Sequence, residues 1–304
     1  MSDSLPNVVC LCPTYGRPSV VANAAACFAA QDYPLANRLL FVFDDAGQIL
    51  KTTPANREKH EKHGIVAMSS SRRRGSLPEK YDEMIRAVGG WADIFVVWDD
   101  DDVYLPWHVR MHVRALAGVS GYVDGGGEGD TAIFGEGGDW SQPESVYSTY
   151  TGKVAAEDSR GRFHGSLAMR SEFLNRIGGW TGVMPVASDG SESCAGNSRD
   201  VKRADFDQRM IAACAASGKR GHYSMVNGPG YVYRWGDSGA THCSGMMTSP
   251  DNRDWYDKVR PCERVEQMVD LVPRFDRRTV EIYRECAPNF RTDEAIGYEK
   301  SGVA

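Results

Sequence analysis

Residues 94–106 read IFVVWDDDDVYLP, an apolar run followed at once by four consecutive aspartates. β-Branched and aromatic residues in such a run are typical of a buried strand. Two carboxylates about 4 Å apart repel each other by roughly 4 kcal/mol at an effective dielectric constant near 20. The four aspartates at 99–102 must therefore lie in water, share protons or surround a cation. An acidic strand-to-helix turn, in which one aspartate caps the next helix, is the alternative interpretation.

Three similar apolar runs precede this one, at residues 8–12, 38–43 and 65–68. Between them, apolar residues at helical spacing predict a helix over 19–30 and another over 81–88, the second stopped by two glycines. Strands that alternate with helices are typical of a parallel sheet built from right-handed βαβ units. We therefore predict an α/β fold with a mostly parallel central sheet and helices on both faces.

Polar residues follow each predicted strand: Thr14 and Tyr15, then Asp44 and Asp45, then three arginines, then the aspartate run. The carboxyl ends of parallel strands share one edge of the sheet, so these groups are expected to converge there. Such a mixture suits a base, a ribose and a diphosphate with Mg²⁺ or Mn²⁺. No GxGxxG follows the first strand and no GxxxxGK[ST] occurs, which disfavours lactate-type Rossmann enzymes and phosphate-loop proteins.

The rest of the chain is less regular, although residues 205–216 carry apolar side chains at helical spacing. We predict a catalytic domain over residues 1–250 and a C-terminal helical extension with a tail over 251–304. Within the catalytic domain, residues 7–106 form the nucleotide-binding half and residues 107–250 the acceptor half.

Composition and charge narrow the class of protein. The 304 residues are 41% hydrophobic, and 35 basic against 41 acidic residues give a net charge of −6. This balance argues against a broad nucleic-acid surface but leaves room for a local basic groove. No apolar run approaches the roughly 20 residues that span a bilayer, and the N-terminus lacks signal-peptide features, so we predict a cytoplasmic protein without membrane contact. The eight cysteines are scattered without a CxxC pair and are expected to be free thiols.

Several motifs occur together in a specific order. They are PTYGRP at 13–18, QDYP at 31–34, Asp44-Asp45, the aspartate run before Pro106, GGW at 178–180 and ADFDQR at 204–209. With these motifs, the chain resembles the family 2 glycosyltransferases of the GT-A fold. The resemblance covers residues 8–106 and resumes in the acceptor half. It implies an inverting, metal-dependent enzyme that transfers a sugar from a nucleotide-diphosphate donor to an acceptor hydroxyl.

The resemblance implies donor-binding roles for residues near the first strands. Thr14 and Tyr15 correspond to positions that line the nucleoside pocket, with a plain strand-to-helix turn as the alternative. Asp44 or Asp45 corresponds to the carboxylate that accepts from the base, which favours a uracil- or thymine-type donor and hence a UDP-sugar; one of the pair is expected to be a turn residue. Arg17 and Lys80 (the latter near a basic position of the family) are candidate phosphate contacts, and a solvated Arg17 is the alternative.

Within the aspartate run, the DxD motif of the family maps best onto Asp99 and Asp101. Asp99, with Asp100 beside it, would bind the donor nucleotide, and Asp101 would bind Mn²⁺ or Mg²⁺. A register shifted by one residue, Asp100 with Asp102, remains open. His242 is a candidate further metal ligand, with a surface or packed histidine as the alternative.

Asp205 corresponds to the catalytic aspartate of the family, the second residue of a Glu-Asp pair. The preceding residue here is Ala204, which departs from that pattern. An inverting transferase needs one base to deprotonate the acceptor hydroxyl, so a single carboxylate is sufficient. Asp207 is the rival base, and a helix-capping role for Asp205 is the other alternative.

Other residues are weaker candidates. Residues 72–74, three consecutive arginines, suit a diphosphate or an anionic acceptor, or are simply solvated. Trp140, Trp180 and Trp235 offer stacking surfaces, although large aromatic side chains more often belong to the core. His164 is a candidate for the acceptor pocket.

The acceptor stays open at this point: a saccharide, a small metabolite, a protein or a modified, hydroxymethylated DNA base. A DNA base would require a basic groove, for which residues 72–74, Arg274, Arg277 and Arg278 are the candidates, and a way to expose the base. Two other classes of function compete with glycosyl transfer. They are a sugar-nucleotide nucleotidyltransferase and a noncatalytic nucleotide-sugar binding protein.

Overall fold

The structure, a computed structural model, describes residues 5–51, 62–117, 137–150, 152–183, 205–222, 228–234, 263 and 265–292. The strands are β1 (Val8–Thr14), β2 (Arg38–Asp44), β3 (Ile65–Ser69), β4 (Ile94–Val97), β5 (Val103–Tyr104), β6 (Trp140–Ser141), β7 (Ser145–Ser148), β8 (Ala155–Asp158), β9 (Ala168–Arg170), β10 (Arg220–Gly221) and β11 (Tyr231–Tyr233). The helices are α1 (Pro18–Ala29), α2 (Leu77–Val88), α3 (His108–Ala117), α4 (Ser171–Arg176), α5 (Gly179–Gly182), α6 (Asp205–Ser217) and α7 (Arg277–Cys286).

Seven of the described strands form one sheet in the order β10-β6-β9-β4-β1-β2-β3. Strands β3, β2, β1 and β4 run parallel to one another, with Thr14 paired to Asp44 and Asp44 paired to Ser69. Strand β9 is antiparallel to both of its neighbours, β4 and β6. The prediction of an α/β fold with a mostly parallel sheet is confirmed.

Strand β1 is an interior strand of the sheet, between β4 and β2, and both of its faces are apolar. All seven of its residues are buried. Val8, Cys10 and Cys12 face one hydrophobic cluster, whereas Val9 and Leu11 face the other. A parallel strand covered on both faces reads as a continuous apolar run, as this one does in the sequence.

The two clusters place helices on both faces of the sheet. The first cluster contains apolar residues of α1, α3 and α7, and the second contains residues of α2, α4, α5 and α6. Ile282 and Tyr283 of the C-terminal helix are fully buried in the first cluster. Helix α7 therefore packs against the same core as β1, and the predicted boundary at residue 250 lies outside the described residues.

A second sheet, β5-β11-β7-β8, was not expected from the sequence. Its described strands are two to four residues long, and β8 is almost entirely exposed. Segments this short are not distinguished by hydrophobic periodicity. Strand β11 pairs antiparallel with β5, directly after the aspartate run, so this sheet borders the acidic cluster.

Gln31 of the QDYP motif joins α1 to the start of α3. Its Nε2 donates to the carbonyls of Cys27, at 3.0 Å, and Leu105, at 2.9 Å, and its Oε1 accepts from the backbone N–H of Val109 at 3.0 Å. The side chain is 5% exposed. Both ends of the amide are thus used to satisfy buried backbone groups, a structural reason for this glutamine at this position.

Five cysteines lie among the described residues, and all five are free thiols, as predicted. They are Cys10, Cys12, Cys27, Cys214 and Cys286. Burial raises the pKa of the Cys27 thiol to about 12, so this thiol is protonated at neutral pH. Cys194, Cys243 and Cys262 lie outside the described residues.

Within the part of the chain that the structure describes, no helix combines the length and the hydrophobicity that a membrane crossing requires. The longest, α6, has 13 residues.

Replacing Gln31 by methionine tests its role in joining the two helices. The apolar side chain keeps the volume but removes the partner of the Val109 N–H and of the Cys27 carbonyl, whereas the Leu105 carbonyl still accepts from the His108 N–H. We therefore expect a loss of about 1–3 kcal/mol in unfolding free energy. Chemical denaturation measures it. Gln267→Met is the matched control, because Gln267 is exposed, and it should change stability by less than about 0.5 kcal/mol. Equal effects of the two substitutions would contradict the role of Gln31.

Candidate active site

The carboxyl ends of β1, β2, β3 and β4 meet at one edge of the sheet, and the predicted polar residues converge there. The Thr14 hydroxyl, at the end of β1, donates to Asp100 Oδ2 at 2.6 Å, directly after β4. At the ends of β3 and β2, the Ser69 hydroxyl donates to Asp44 Oδ2 at 2.9 Å. Four strands separated in sequence thus contribute to one polar surface.

Asp44 builds the turn that follows β2. Its carboxylate accepts from the backbone N–H groups of Ala46 at 2.9 Å, Gln48 at 2.6 Å and Ile49 at 2.9 Å, in addition to the Ser69 hydroxyl. Asp44 is 1% exposed. Asp44 therefore serves the turn after β2, and its neighbour Asp45 contacts Lys80 and the Arg74 backbone instead.

Asp45 is held by two cationic residues. Its Oδ1 accepts from Lys80 Nζ at 2.7 Å, and its Oδ2 accepts from the backbone N–H of Arg74 at 2.8 Å. Lys80 is 3% exposed and also donates to the carbonyl of Thr14 at 2.7 Å. Burial lowers the pKa of Lys80, and the Asp45 carboxylate opposes that shift. Lys80 thus connects the ends of β1 and β2, and its contact with a phosphate stays a prediction.

Tyr15 lies under one of the three arginines. The Arg73 guanidinium is 4.2 Å from the centre of the Tyr15 ring, a cation–π contact. Arg74 pairs with Glu83 through a two-point contact, which raises the pKa of Arg74 and lowers that of Glu83. Arg73 and Arg74 of the run at 72–74 thus contact other side chains, whereas Arg72 is exposed. The run lines a cleft of about 400 Å³ together with Ser70, Gly75 and Glu79.

Arg17 compensates two of the four aspartates. Its Nη1 donates to Asp101 Oδ2 at 2.9 Å, and its Nη2 pairs with Asp100 Oδ1. The arginine side chain is only 11% exposed. The guanidinium thus bridges two neighbouring carboxylates from within the site rather than lying in solvent.

Asp102 is bound by the second sheet. The Tyr231 hydroxyl donates to its Oδ2, and the backbone N–H of Arg234 donates to its Oδ1 at 2.9 Å. Asp102 is 1% exposed. Both oxygens of Asp102 are thus engaged within the protein, and the register of the DxD motif stays a prediction.

Asp99 is the most exposed of the four aspartates. It is partly exposed, whereas Asp100, Asp101 and Asp102 are buried. The Tyr81 hydroxyl lies 3.4 Å from its Oδ1. A Cβ atom on Gly165 would lie 2.4 Å from Asp99 Oδ2, so only glycine permits this approach of the backbone. Burial and the carboxylates of Asp102 and Asp101 raise the pKa of Asp99 well above its usual range. A cation near Asp99 would lower this pKa, because it favours the charged carboxylate.

The residues at this edge fit a divalent ion held jointly with a ligand. Asp99 and Asp101 offer carboxylate oxygens, the ligands that Mg²⁺ and Mn²⁺ prefer. In the described part of the chain, the Asp99 carboxylate has a side-chain hydrogen bond only with the Tyr81 hydroxyl, at 3.4 Å. Among the described residues, no three acidic, histidine or cysteine side chains are grouped to hold an ion on their own. The fit is thus to an ion bound by one or two carboxylates and substrate phosphates. His242 lies outside the described residues.

Helix α6 begins at Asp205, whose side chain is outside the described part of the structure. Two residues later, Asp207 Oδ1 lies 3.7 Å from His164 Nδ1, and the Asp207 side chain is 56% exposed. Asp207 also contributes to the raised pKa values of Asp99 and Tyr81, which places its charge near the acidic cluster. Of the two candidate bases, Asp207 is the one whose side-chain contacts lie within the described part of the structure.

His164 is oriented by Trp180. The indole N–H of Trp180 donates to His164 Nε2 at 3.0 Å, so the proton of the neutral ring is on Nδ1, facing Asp207. Burial lowers the pKa of His164, and Asp207 opposes that shift. Trp180 stacks on Tyr81 with ring centres 4.5 Å apart, and its backbone N–H donates to Asp82 at 2.8 Å. Helix α2 thereby positions the imidazole.

The sequence interpretation missed the groups that hold the acidic cluster and His164 in place. Tyr81, Asp82 and Tyr231 carry no motif, and Tyr81 was noted only as an apolar position of a helix. Nothing local to these residues indicates which carboxylate or ring they contact. Trp140 and Trp180 are buried, at 4% and 0% exposed, in agreement with a core role for both, and Trp235 lies outside the described residues.

Replacing Tyr231 by phenylalanine tests how Asp102 is stabilised. The ring is kept while the hydroxyl donor to a buried carboxylate is lost, so we expect about 1.5–3 kcal/mol less unfolding free energy at pH 7. Denaturant titration is the measurement. Tyr150→Phe serves as the control, because Tyr150 is 65% exposed, and it should have little effect. A Tyr231→Phe protein as stable as the control would mean that Asp102 does not depend on this hydroxyl.

No protein-family model matches the sequence, and no curated protein matches it. Solved structures do resemble the fold. One is the mannosyltransferase PcManGT from Pyrobaculum calidifontis in complex with GDP-Man and Mn²⁺, at 16% identity and a TM-score of 0.45, over 77% of this chain and 57% of that chain. Another is S. aureus TarS 1–349 in complex with UDP-GlcNAc, at 11% identity and a TM-score of 0.46, over 75% of this chain and 58% of that chain. The aligned region is thus less than two thirds of either protein. These likenesses are weak, and the function of this chain has to follow from its own residues.

Proposed function

We propose that this protein is an inverting, metal-dependent glycosyltransferase that uses a nucleotide-diphosphate sugar, with a UDP-sugar as the favoured donor. The observation that carries the proposal is the placement of Asp99. Its partly exposed carboxylate follows β4 directly and precedes Asp100 and Asp101, which contact Thr14 and Arg17. The charge of Asp207 contributes to the raised pKa of Asp99. A donor site and a candidate base therefore flank one acidic centre.

The donor nucleotide is proposed to bind at the ends of β1 and β2. The Tyr15 ring is proposed to contact the base. Lys80 holds the ends of the two strands together by donating to the Thr14 carbonyl and to the Asp45 carboxylate. Asp45 is proposed as the carboxylate that accepts an N–H from a uracil-type base, which is the basis for favouring a UDP-sugar. Arg17, already turned toward the acidic cluster, is proposed to meet the diphosphate.

The metal is proposed to be Mn²⁺ or Mg²⁺, bound by Asp101 as the family resemblance implies. Asp99, for which the resemblance implies a contact with the donor nucleotide, is proposed here as a further ligand because it is the partly exposed member of the run. When bound, such an ion supplies Lewis-acid neutralisation of the charge on the departing diphosphate. Arg17 provides a second, fixed positive charge at the same place because its guanidinium contacts Asp101. His242 is retained as a proposed further ligand.

The base is proposed to come from the first turn of α6. It takes the proton of the acceptor hydroxyl while the hydroxyl oxygen bonds to the anomeric carbon opposite the leaving group. The bond to the nucleoside diphosphate breaks at the same time, so the configuration inverts. Asp205 is the base that the family resemblance implies. Asp207 is the alternative, supported by the Nδ1–H of His164 that faces it.

Donor binding tests the proposal first. Thermal unfolding is measured with UDP, GDP, TDP, CDP and ADP, each with and without Mn²⁺. One nucleotide at about 100 times its dissociation constant should stabilise the fold by roughly 2.7 kcal/mol, and Asp101→Asn should remove the Mn²⁺-dependent part. Asp158→Asn, a change in an exposed ion pair, is the control. The proposal fails if no nucleotide gives a Mn²⁺-dependent shift in the unaltered protein.

The two aspartates of α6 are separated by their amide variants. With UDP-GlcNAc, UDP-glucose and GDP-mannose as donors, the slow transfer of sugar to water is followed by release of the nucleoside diphosphate. The variant that removes the base should be slower by about 10²–10⁴-fold, and the other should lose much less. Both variants should bind nucleotide normally. Undiminished rates in both Asp205→Asn and Asp207→Asn would place the base elsewhere.

A further inference from the structure

A second cleft, also of about 400 Å³, lies on the acceptor side of the protein, beside α6. Its volume is within the range of small-molecule sites. Gly161, Ala212 and Ala215 border it and leave it open because their side chains are small. The polar and aromatic part of its lining consists of Trp140, Gln142, Arg160, Gln208 and Arg220.

Arg220 supplies a cation to this cleft that the described protein does not neutralise. Its guanidinium lies 5.6 Å from the centre of the Trp140 ring, and its Nη2 donates to the backbone carbonyl of Gln142 at 2.6 Å. No carboxylate pairs with it among the described residues, and its buried Nε has no acceptor there. Arg38, by contrast, uses its two terminal nitrogens to donate to three backbone carbonyls.

The cleft adjoins the candidate base through two of its lining residues. Gln208 follows Asp207 directly in α6. The Gln142 side chain contacts the segment that carries His164: its Nε2 lies 3.3 Å from Ser166 Oγ and 3.4 Å from the carbonyl of Phe163. A molecule in this cleft would therefore lie against the same short segment and the same helix that present His164 and Asp207.

The chemistry of the lining discriminates between ligands. A planar base or a bare sugar ring would need an exposed aromatic face, but Trp140 is only 4% exposed. A guanidinium with unused N–H groups matches the oxygens of a phosphate or carboxylate, and it can bind them with two parallel hydrogen bonds. Arg160 adds a second guanidinium at the rim, where it pairs with Asp158 in an exposed ion pair.

We propose that this cleft binds an anionic group, a phosphate or a carboxylate, on the acceptor. Arg220 holds the anion, the side-chain amide of Gln208 contacts a neighbouring oxygen, and the acceptor hydroxyl extends toward the start of α6. The acceptor class is thus a hydroxyl compound with a negative charge near the reacting hydroxyl. The assignment of the anion to an acceptor rests on the proposed glycosyltransferase function.

Binding is tested without turnover. The ³¹P NMR signal of glycerol 1-phosphate is titrated with the full chain, and Arg220→Gln is compared with the unaltered protein. We expect the affinity for glycerol 1-phosphate, measured from the line broadening, to fall by about tenfold or more in Arg220→Gln, the loss expected for a charged hydrogen bond. Arg220→Lys should partly restore the affinity. Arg162→Gln is the control, because Arg162 is exposed and pairs with Glu157 outside the lining. Equal broadening in all four proteins would overturn the site.

Turnover tests the link to catalysis with matched acceptors. Glycerol 1-phosphate is compared with glycerol, and glucuronate with glucose, by release of nucleoside diphosphate from the donor found above. Only anionic members should stimulate release, and Arg220→Gln should raise their KM by about tenfold or more with little change in kcat or donor affinity. The phosphate and carboxylate pairs identify which anion is preferred. Equal stimulation by the neutral members would refute an anionic acceptor.

The two proposals fail in different ways. If glycerol phosphate binds through Arg220 but no nucleotide gives a Mn²⁺-dependent shift, the anion site stands and the glycosyltransferase function falls. If nucleotide binds and donor is turned over but Arg220→Gln behaves as Arg162→Gln, the function stands and the anion site falls. Thermal unfolding of each variant shows that any loss is measured on folded protein.

Discussion

Compensation of four adjacent carboxylates at the end of β4 is the constraint on which the site depends. The protein does not treat them alike. Asp100 and Asp101 share the Arg17 guanidinium, whereas Asp102 takes a hydroxyl and a backbone N–H. Asp99 is left with its neighbours' repulsion, and its pKa is raised. Among the described residues, Asp99 is thus the aspartate of the run whose carboxylate is contacted by neither the Arg17 guanidinium nor a backbone N–H.

Distant parts of the chain serve this arrangement. Because strand β11 pairs with β5, the Tyr231 hydroxyl and the Arg234 backbone N–H reach Asp102. The C-terminal helix supports the same region because the Tyr283 hydroxyl donates to the carbonyl of Tyr104 at 2.6 Å. Buried polar groups with satisfied partners rigidify a site, and a rigid acidic centre is what pre-organised charge stabilisation requires.

Helix α2 connects the donor and acceptor sides. Lys80 fixes Asp45 at the nucleotide edge, Tyr81 approaches Asp99, and Asp82 holds the backbone of Trp180, which in turn orients His164. Three consecutive residues thus face three parts of one site. The helix starts with Ser76 capping the N–H of Glu79, a local feature that fixes where those residues point.

The sequence by itself determined the parallel strands β1 to β4, the helices between them, the free thiols and the positions of the carboxylates at the sheet edge. These follow from local periodicity, burial preference and chain direction, which a short window of residues contains. Only the tertiary structure decided that Asp44 serves the turn after β2, that Asp102 is engaged by the second sheet and that Arg220 lacks a counter-charge among the described residues. The reason is separation along the chain: Thr14 meets Asp100 across 86 positions and Tyr231 meets Asp102 across 129, and no local pattern encodes such pairs.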